Sequence, residues 1–373
     1  MEKCAILPVE TEGLLGTVRR FLTSMLQQRL VDALLVPMEL SPGGTVVSSI
    51  VSHTDKLVQA NPLAPVLPVN TARLVSRITR VSPSPGKLGI VLRSCELRAL
   101  IELVKLKQAS LDNLLLIGVD CPGTYSLSTA RKLVSEGRSP TEAVMKRFLE
   151  RAEDPLLRKA CAVCECPAPQ GADITIGLFG ADVSKNILLI SSTAKGEEIV
   201  SSLSLNEGKA EGRQSALSAL VGEKVKQREN LFKETSESIQ GLDKLRAVFS
   251  SCTNCHNCRE ACPICYCKEC FFDSETFEFK AEKYLGWSKR KGALRMPTDT
   301  LLFHLTRLNH MVISCVGCGL CTEACPNDIP ISNIFRLVGY QVQKEFDYHP
   351  GRSIDEELPL TAFREDELTD VGI

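Results

Sequence analysis

The chain has 373 residues, with 44 Lys and Arg against 45 Asp and Glu and a formal net charge of -1. That length suits two or three domains, each burying its own core, and charge spread evenly along the chain excludes a nucleic-acid-binding face. No apolar run approaches the roughly 20 residues needed to cross a bilayer, so no transmembrane segment is expected.

The opening MEKCAILPVETEG carries acids and a proline where a secretory signal has a basic start and a long apolar core, so a cytoplasmic location is expected. From Glu12 to Leu30 the apolar residues Leu14, Leu15, Val18, Phe21, Leu22, Met25 and Leu30 recur at helical spacing. ALLVPM (33–38) and TVVSSIVS (45–52) read as short strands, and 71–80 as a helix. The turn SPSPGK (82–87) feeds a strand LGIVLR (88–93). A helix over 96–107, a buried strand LLLIGVD (114–120), a helix over 141–152 and strands near DITIGLFG (173–180) and NILLIS (186–191) follow. Residues 1–200 thus read as an α/β (or α+β) domain. Residues 201–250 are polar and helix-forming, as a connector is. The cysteine-dense part spans 251–345, and the acidic tail 346–373 is expected to be mobile or a docking strip.

Of the 17 cysteines, eight fall in two matching runs. Cys252-x2-Cys255-x2-Cys258-x3-Cys262-Pro263 is repeated as Cys315-x2-Cys318-x2-Cys321-x3-Cys325-Pro326. Three close thiolates on one loop can hold three irons of a 4Fe-4S cubane, and the fourth cysteine, held before a proline, crosses to the other cluster, as in two-cluster bacterial ferredoxins. One cluster is therefore assigned to Cys252, Cys255, Cys258 and Cys325, and the other to Cys315, Cys318, Cys321 and Cys262. Zinc also takes four cysteines, but usually as two separated pairs. His256, inside the first loop, reads as tuning or shielding a cluster rather than ligating it. Cys265, Cys267 and Cys270 follow at once and are either ligands of a further cluster or metal, or spare thiols.

Cys95 and Cys121 lie at or just past the ends of the strands 88–93 and 114–120, and Cys161 and Cys164 form a Cys-x2-Cys pair. Strand ends on one edge of an α/β sheet converge on a common crevice. These four thiols are either ligands of a third cluster or buried free cysteines. Cys4 and Cys166 have no assignment.

The segments GLLGTVRRFLTSMLQQRLVDALLV, RSCELRALIELVKL, GVDCPGTY, CAVCECPAPQGADITIGLFG, CTNCHNCREACPICYCKEC and CVGCGLCTEACPNDIPI together resemble the beta subunits of coenzyme F420-dependent hydrogenases and formate dehydrogenases. The C-terminal position of the ferredoxin runs resembles the formate dehydrogenase branch. The resemblance implies FAD in the α/β domain beside a 4Fe-4S cluster on Cys95, Cys121, Cys161 and Cys164. Hydrogenase-type members typically carry Gly-Thr-Pro-Cys where this chain reads Arg93-Ser94-Cys95-Glu96. For FAD, the helix start at Gly13, Gly16 and Thr17 offers free N–H groups and a dipole suited to pyrophosphate, or is a plain helix start. Asn61, Asn70, Thr71, Arg73, Ser94 and Gly177 are candidates by family position. Arg73, Arg77 and Arg80 form either a guanidinium set for anionic cofactor tails or a solvated face.

The function these features imply is an iron–sulfur flavoprotein beta subunit of a formate dehydrogenase-type complex, an oxidoreductase component. It would pass electrons between a molybdenum or tungsten catalytic subunit and FAD, with hydride exchange to coenzyme F420 or a similar two-electron carrier. The competing expectation is an adaptor joining formate dehydrogenase to heterodisulfide-reductase-like subunits without a hydride substrate of its own. No Ser, His or carboxylate constellation suggests hydrolysis.

Overall fold

The computed structural model describes residues 3–40, 46–150, 152–203, 205–277, 280–292 and 299–362. The strands β1 (Lys3–Pro8), β2 (Ala33–Glu39), β3 (Val46–Val51), β4 (Leu88–Arg93), β5 (Leu114–Val119), β6 (Ile174–Gly177), β7 (Asn186–Ser191) and β8 (Asn206–Glu207) form one sheet of order β3-β2-β4-β5-β6-β7-β1-β8. Helices in the first part are α1 (Gly13–Gln27), α2 (Thr71–Thr79), α3 (Ser94–Lys105), α4 (Leu127–Ser135), α5 (Pro140–Leu149), α6 (Lys159–Ala162) and α7 (Ala194–Ser202). Then come α8 (Arg213–Ile239), α9 (Leu242–Val248), α10 (Asn257–Glu260), α11 (Ala281–Lys291), α12 (Thr300–Met311), α13 (Leu320–Glu323) and α14 (Ile331–Glu345).

β2, β4, β5 and β6 run parallel, β7 opposes β6, and β1 opposes β7. The C-terminal ends of β1, β2, β4, β5 and β6 therefore share one edge of the sheet. β4 and β5 are buried along their whole length, as strands covered on both faces must be. The two-residue period decides which cover each side chain meets. Val91, Leu115, Ile117 and Val119 pack with Val18, Phe21 and Leu22 of α1 and Val144 of α5. Leu88, Ile90, Leu92, Leu114 and Leu116 face the other way, onto Ala72 and Val75 of α2 and Leu97, Leu100 and Leu103 of α3.

That second layer continues without a break into Phe249, Ile264, Phe272, Phe303, Val316, Ile334 and Phe335. The cysteine-dense part thus shares a core with the sheet rather than hanging from a connector. The connector itself contains the 27-residue helix α8, whose polar side chains Lys224 and Arg228 are buried. β1, α4 and α7 were not expected from periodicity. Ser126 and Thr193 cap α4 and α7 by accepting from Thr129 N and Gly196 N, and such caps start helices whose apolar pattern is weak.

The tail is fastened rather than free as far as it is described. Tyr348 and Leu358 are buried, and the buried Glu102 carboxylate accepts from the Tyr348 hydroxyl (2.5 Å) and Gly351 N (2.8 Å). Arg98 Nε donates to Pro350 O at 2.8 Å. Residues 363–373 of the expected tail lie outside the described residues. Among the described residues no helix is long and apolar enough to cross a membrane.

Strand β6 is locked to its neighbours by Asp173, which accepts from Leu116 N (2.8 Å) and Thr193 Oγ1 (2.7 Å). Asp173→Ala leaves a buried backbone donor unmatched and is expected to cost about 1–3 kcal/mol. A lowered urea midpoint followed by far-UV circular dichroism checks it; an unchanged midpoint contradicts it.

Candidate cluster and cofactor site

The first ligand loop and the end of the second line one small hollow with Cys252, Cys255, Cys258 and Cys325 together with Phe303, His304, Ile329 and Ile331. Four thiols converging on a largely apolar hollow fit an iron–sulfur cubane. Burial pushes the Cys258 thiol up to about 11, against the pull of Arg307 and with a further push from Cys252, Cys255 and Cys325. Such a thiol keeps its proton until a metal displaces it. His304 Nε2 lies 3.4 Å from Cys252 Sγ, and its ring stacks on Phe249 with centroids 4.1 Å apart. Burial drives the His304 pKa down to about 3. His256 lies on the edge of the hollow, paired with Asp273 at 3.0 Å.

The second set gathers around Cys262. Burial raises the pKa of Cys315, Cys318 and Cys321, and for each of them Cys262 is the leading neighbouring thiol. The structure therefore brings the last cysteine of each run to the loop of the other.

The third set forms where the sequence placed it, at the C-terminal edge of the parallel strands. Cys95 opens α3, Cys121 follows β5, and Cys161 and Cys164 sit on and just after α6. Burial first, then Glu96, Cys318, Cys121 and Cys164, push the Cys95 thiol well above its ordinary value. Burial pushes Cys121 up to about 12, with Arg93 opposing and Cys161 and Cys164 adding. Cys161 goes the other way: burial raises it, but Arg158 and hydrogen bonding with Thr124 outweigh that effect and lower its pKa. The contacts are Thr124 Oγ1 at 3.2 Å and Arg158 Nη2 at 3.6 Å from Cys161 Sγ. Since Cys318 of the second set is a neighbour of Cys95, the sets follow one another through the molecule.

Cys265 is half-buried and pushed up to about 12 by burial and Cys262; Cys267 is exposed, and Cys270 bonds with Arg259. Among the described residues no three His, Cys, Asp or Glu side chains are grouped to hold a single metal ion. Cys166 Sγ lies 3.2 Å from His349 Nε2, and Cys4 lies in β1.

The flavin candidates fall along the same sheet edge as Cys95 and Cys121. Helix α1 begins at Gly13 with no side-chain cap and no acid in its first turn, and a Cβ at Gly13 would meet nothing within 4 Å. Gly16 faces the Glu12 side chain, and Thr17 Oγ1 is turned back onto Gly13 O at 3.0 Å. Asn61 is closed into a network, donating to Glu39 Oε1 (2.6 Å) and Thr141 Oγ1 (3.0 Å). Thr71 donates through N and Oγ1 to Glu96 Oε1, while Asn70 caps α2. Gly177 ends β6, near Arg213. Arg73 reaches Glu260 of the ferredoxin part at 2.7 Å, and Arg77 and Arg80 are exposed. Three buried atoms, Asn70 Nδ2, Arg73 Nη1 and Ser94 Oγ, have no hydrogen-bond partner among the described residues. Orphaned polar atoms at the starts of α2 and α3 fit a polar ligand.

A mixed α/β sheet fused to such a ferredoxin part defines an iron–sulfur protein of the electron-transfer class. Residues 248–329 match the family model described as a 4Fe-4S dicluster domain, and residues 86–214 match the model for the C terminus of the coenzyme F420 hydrogenase/dehydrogenase beta subunit. The chain is thus related to the coenzyme F420 hydrogenase/dehydrogenase beta subunits, as its motifs implied. It is 27% identical over 92% of its length, and 93% of the relative's, to the F420-dependent formate dehydrogenase subunit beta of Methanocaldococcus jannaschii. It is 24% identical to the F420-dependent formate dehydrogenase 1 subunit beta of Methanococcus maripaludis, over 74% of this chain and 75% of that one. A chain of the xenon-derivatised F420-reducing [NiFe] hydrogenase complex from Methanosarcina barkeri superposes with a TM-score of 0.46 at 14% identity, covering 65% of this chain and 94% of that chain.

Residues that sequence reasoning passed over are Arg158, His304 and Arg307. Arg158 stands three residues before Cys161, and His304 and Arg307 share a face of α12 at i, i+3. That spacing is the one local signal that announces them. The crossed pairing is open to test: Cys325→Ala is expected to remove the cluster bound with Cys252, Cys255 and Cys258, and Cys262→Ala the other. Each variant should lose roughly four irons per chain and a different electron paramagnetic resonance signal; loss of the same signal in both contradicts the crossing.

Proposed function

We propose that the chain is the iron–sulfur flavoprotein beta subunit of a formate dehydrogenase-type complex. Its three thiol sets carry 4Fe-4S clusters that pass electrons between a molybdenum or tungsten catalytic subunit and FAD in the α/β part. The external carrier is coenzyme F420 or a similar two-electron carrier. The observation that carries this reading is the succession of the sets: the first meets the second about Arg307, and the second meets the third at Cys318 and Cys95. The names of the relatives point the same way.

FAD, when bound, supplies the coupling of one-electron to two-electron transfer. The protein's own residues do the rest. The uncapped start of α1 is suited to the pyrophosphate, and Ser94 Oγ and Asn70 Nδ2 offer unused donors beside Cys95. Glu96 holds the starts of α2 and α3 together, accepting from Thr71 N and from Arg93 N at 3.0 Å each. Residues at these helix starts would hold the flavin beside the third thiol set.

Quantitation of one anaerobic preparation tests the reading. Roughly 12 irons per chain are expected for three 4Fe-4S clusters, and about 8 would remove the one in the α/β part. About one FAD per chain and electron exchange with reduced coenzyme F420 are expected. Fully metallated protein without flavin overturns the proposal, and flavin that reacts with neither coenzyme F420 nor NAD(H) favours the adaptor role. Ser94→Ala, which deletes an unpartnered hydroxyl, is expected to weaken FAD retention about tenfold with iron content unchanged. Equal retention by equilibrium dialysis would remove Ser94 from the flavin site.

A further inference from the structure

We infer that the cluster on Cys262, Cys315, Cys318 and Cys321 is the electron sink of the relay, held at the highest potential of the three by buried arginines that have no carboxylate ion pair. The inference rests on the three-cluster reading above.

Arg98 Nη1 donates to Val316 O at 3.3 Å, inside the second ligand run. Arg158 Nη1 lies 4.0 Å from where a Cβ on Gly319 would sit. Arg307 Nη1 donates to Cys258 Sγ and its Nη2 to Cys258 O, both at 3.1 Å; its charge is also felt by Cys262 and Cys321. The three side chains belong to residues 7%, 6% and 3% exposed, respectively. None of them forms an ion pair with a carboxylate within 4.0 Å among the described residues; Glu323 is the acid that acts most on Arg158. Arg158 Nη1 and Arg307 Nε lack any hydrogen-bond partner there. A fourth arginine, Arg336, also borders the run at Gly317, but it is paired with Glu165 at 2.9 Å.

Buried cations without a counter-charge are costly. A thiolate-ligated cluster is anionic and would supply the missing charge. Its reduction adds one electron, breaks no bond and raises that negative charge, so nearby fixed cations favour the reduced form. The second set is the one set that all three unpaired arginines border. Arg307 is shared with the first set and Arg158 with the third, whereas Arg98 donates to the second run at Val316 O. The first set has the carboxylate of Asp299 acting on Cys252, and the third has Glu96 acting on Cys95. Both acids oppose reduction at the ends of the relay, while the acid of the second run, Glu323, acts on Arg158.

An anaerobic redox titration followed by electron paramagnetic resonance tests the inference on the intact protein and on Arg98→Gln, Arg158→Gln and Arg307→Gln. One signal is expected to drop in potential in all three variants. Arg307→Gln should also lower a second signal, and Arg158→Gln a third. Each shift is expected to reach about tenfold in the one-electron equilibrium, about 59 mV. The charge-keeping Arg→Lys variants should hold their potentials. In the unaltered protein the first electron settles in the middle, so the second arrives beside it and spin-coupled broadening should begin before half-reduction. Two narrow, uncoupled signals at that point overturn the inference, and this holds even if the glutamine variants fail to load iron. Unmoved potentials at roughly 12 irons per chain sink the inference alone, whereas about 8 irons sink the three-cluster reading beneath it.

Discussion

At Gly319 the second ferredoxin loop passes Ala160 so closely that a Cβ would stand 2.4 Å from the Ala160 Cβ. The glycine also has a φ of +76°, which a side chain would strain. This approach sets the thiols of the sheet edge beside those of the ferredoxin part. Arg336 tightens it from α14, donating to Val163 O (2.6 Å), Ala160 O (3.3 Å) and Glu165 (2.9 Å). Lys224 of α8 holds the same loop by donating to Cys161 O at 2.7 Å. The loop carrying Cys161 and Cys164 is thus clamped by two helices that belong to neither the sheet nor the ligand runs.

That clamp explains the odd chemistry of α8. As a string of Lys, Glu, Gln and Ser it reads as a connector, and its Lys224, Arg228 and Phe232 are buried. Arg228 pairs with Glu165 and stacks over the Tyr340 ring at 4.3 Å. A polar helix can pack when each buried charge meets an opposite charge, a carbonyl or an aromatic face. Such partners come from far along the chain, so no local pattern announces them.

The sheet strands β2 to β7 were legible because their apolar or β-branched runs are short and bounded by turn residues. The convergence of the cysteines was legible because ligand spacing and strand ends are local signals. β1 escaped because six residues ending in proline, with no alternation, gain their stability from pairing with β7 along its length. The shared core escaped too: hydrophobic residues in a ferredoxin part say nothing of what covers them. Among the flavin candidates, Arg73, Arg77 and Arg80 shared a helical face as expected, but one reaches Glu260 and the other two meet solvent. Position on a face does not reveal what the face meets.

The shared core also bears on how the chain is made. The sheet face formed by Leu88, Ile90, Leu92, Leu114 and Leu116 is closed in part by Phe249, Phe303 and Phe335, which leave the ribosome much later. At about 5–20 residues per second, the stretch from Phe249 to Phe335 takes about 4–17 s to emerge. During that interval the α/β part carries an incompletely covered apolar face, a state prone to aggregation, and its Cys95 lacks its Cys318 neighbour. Completing the iron sites, whose last ligand is Cys325, therefore waits on the late part of synthesis.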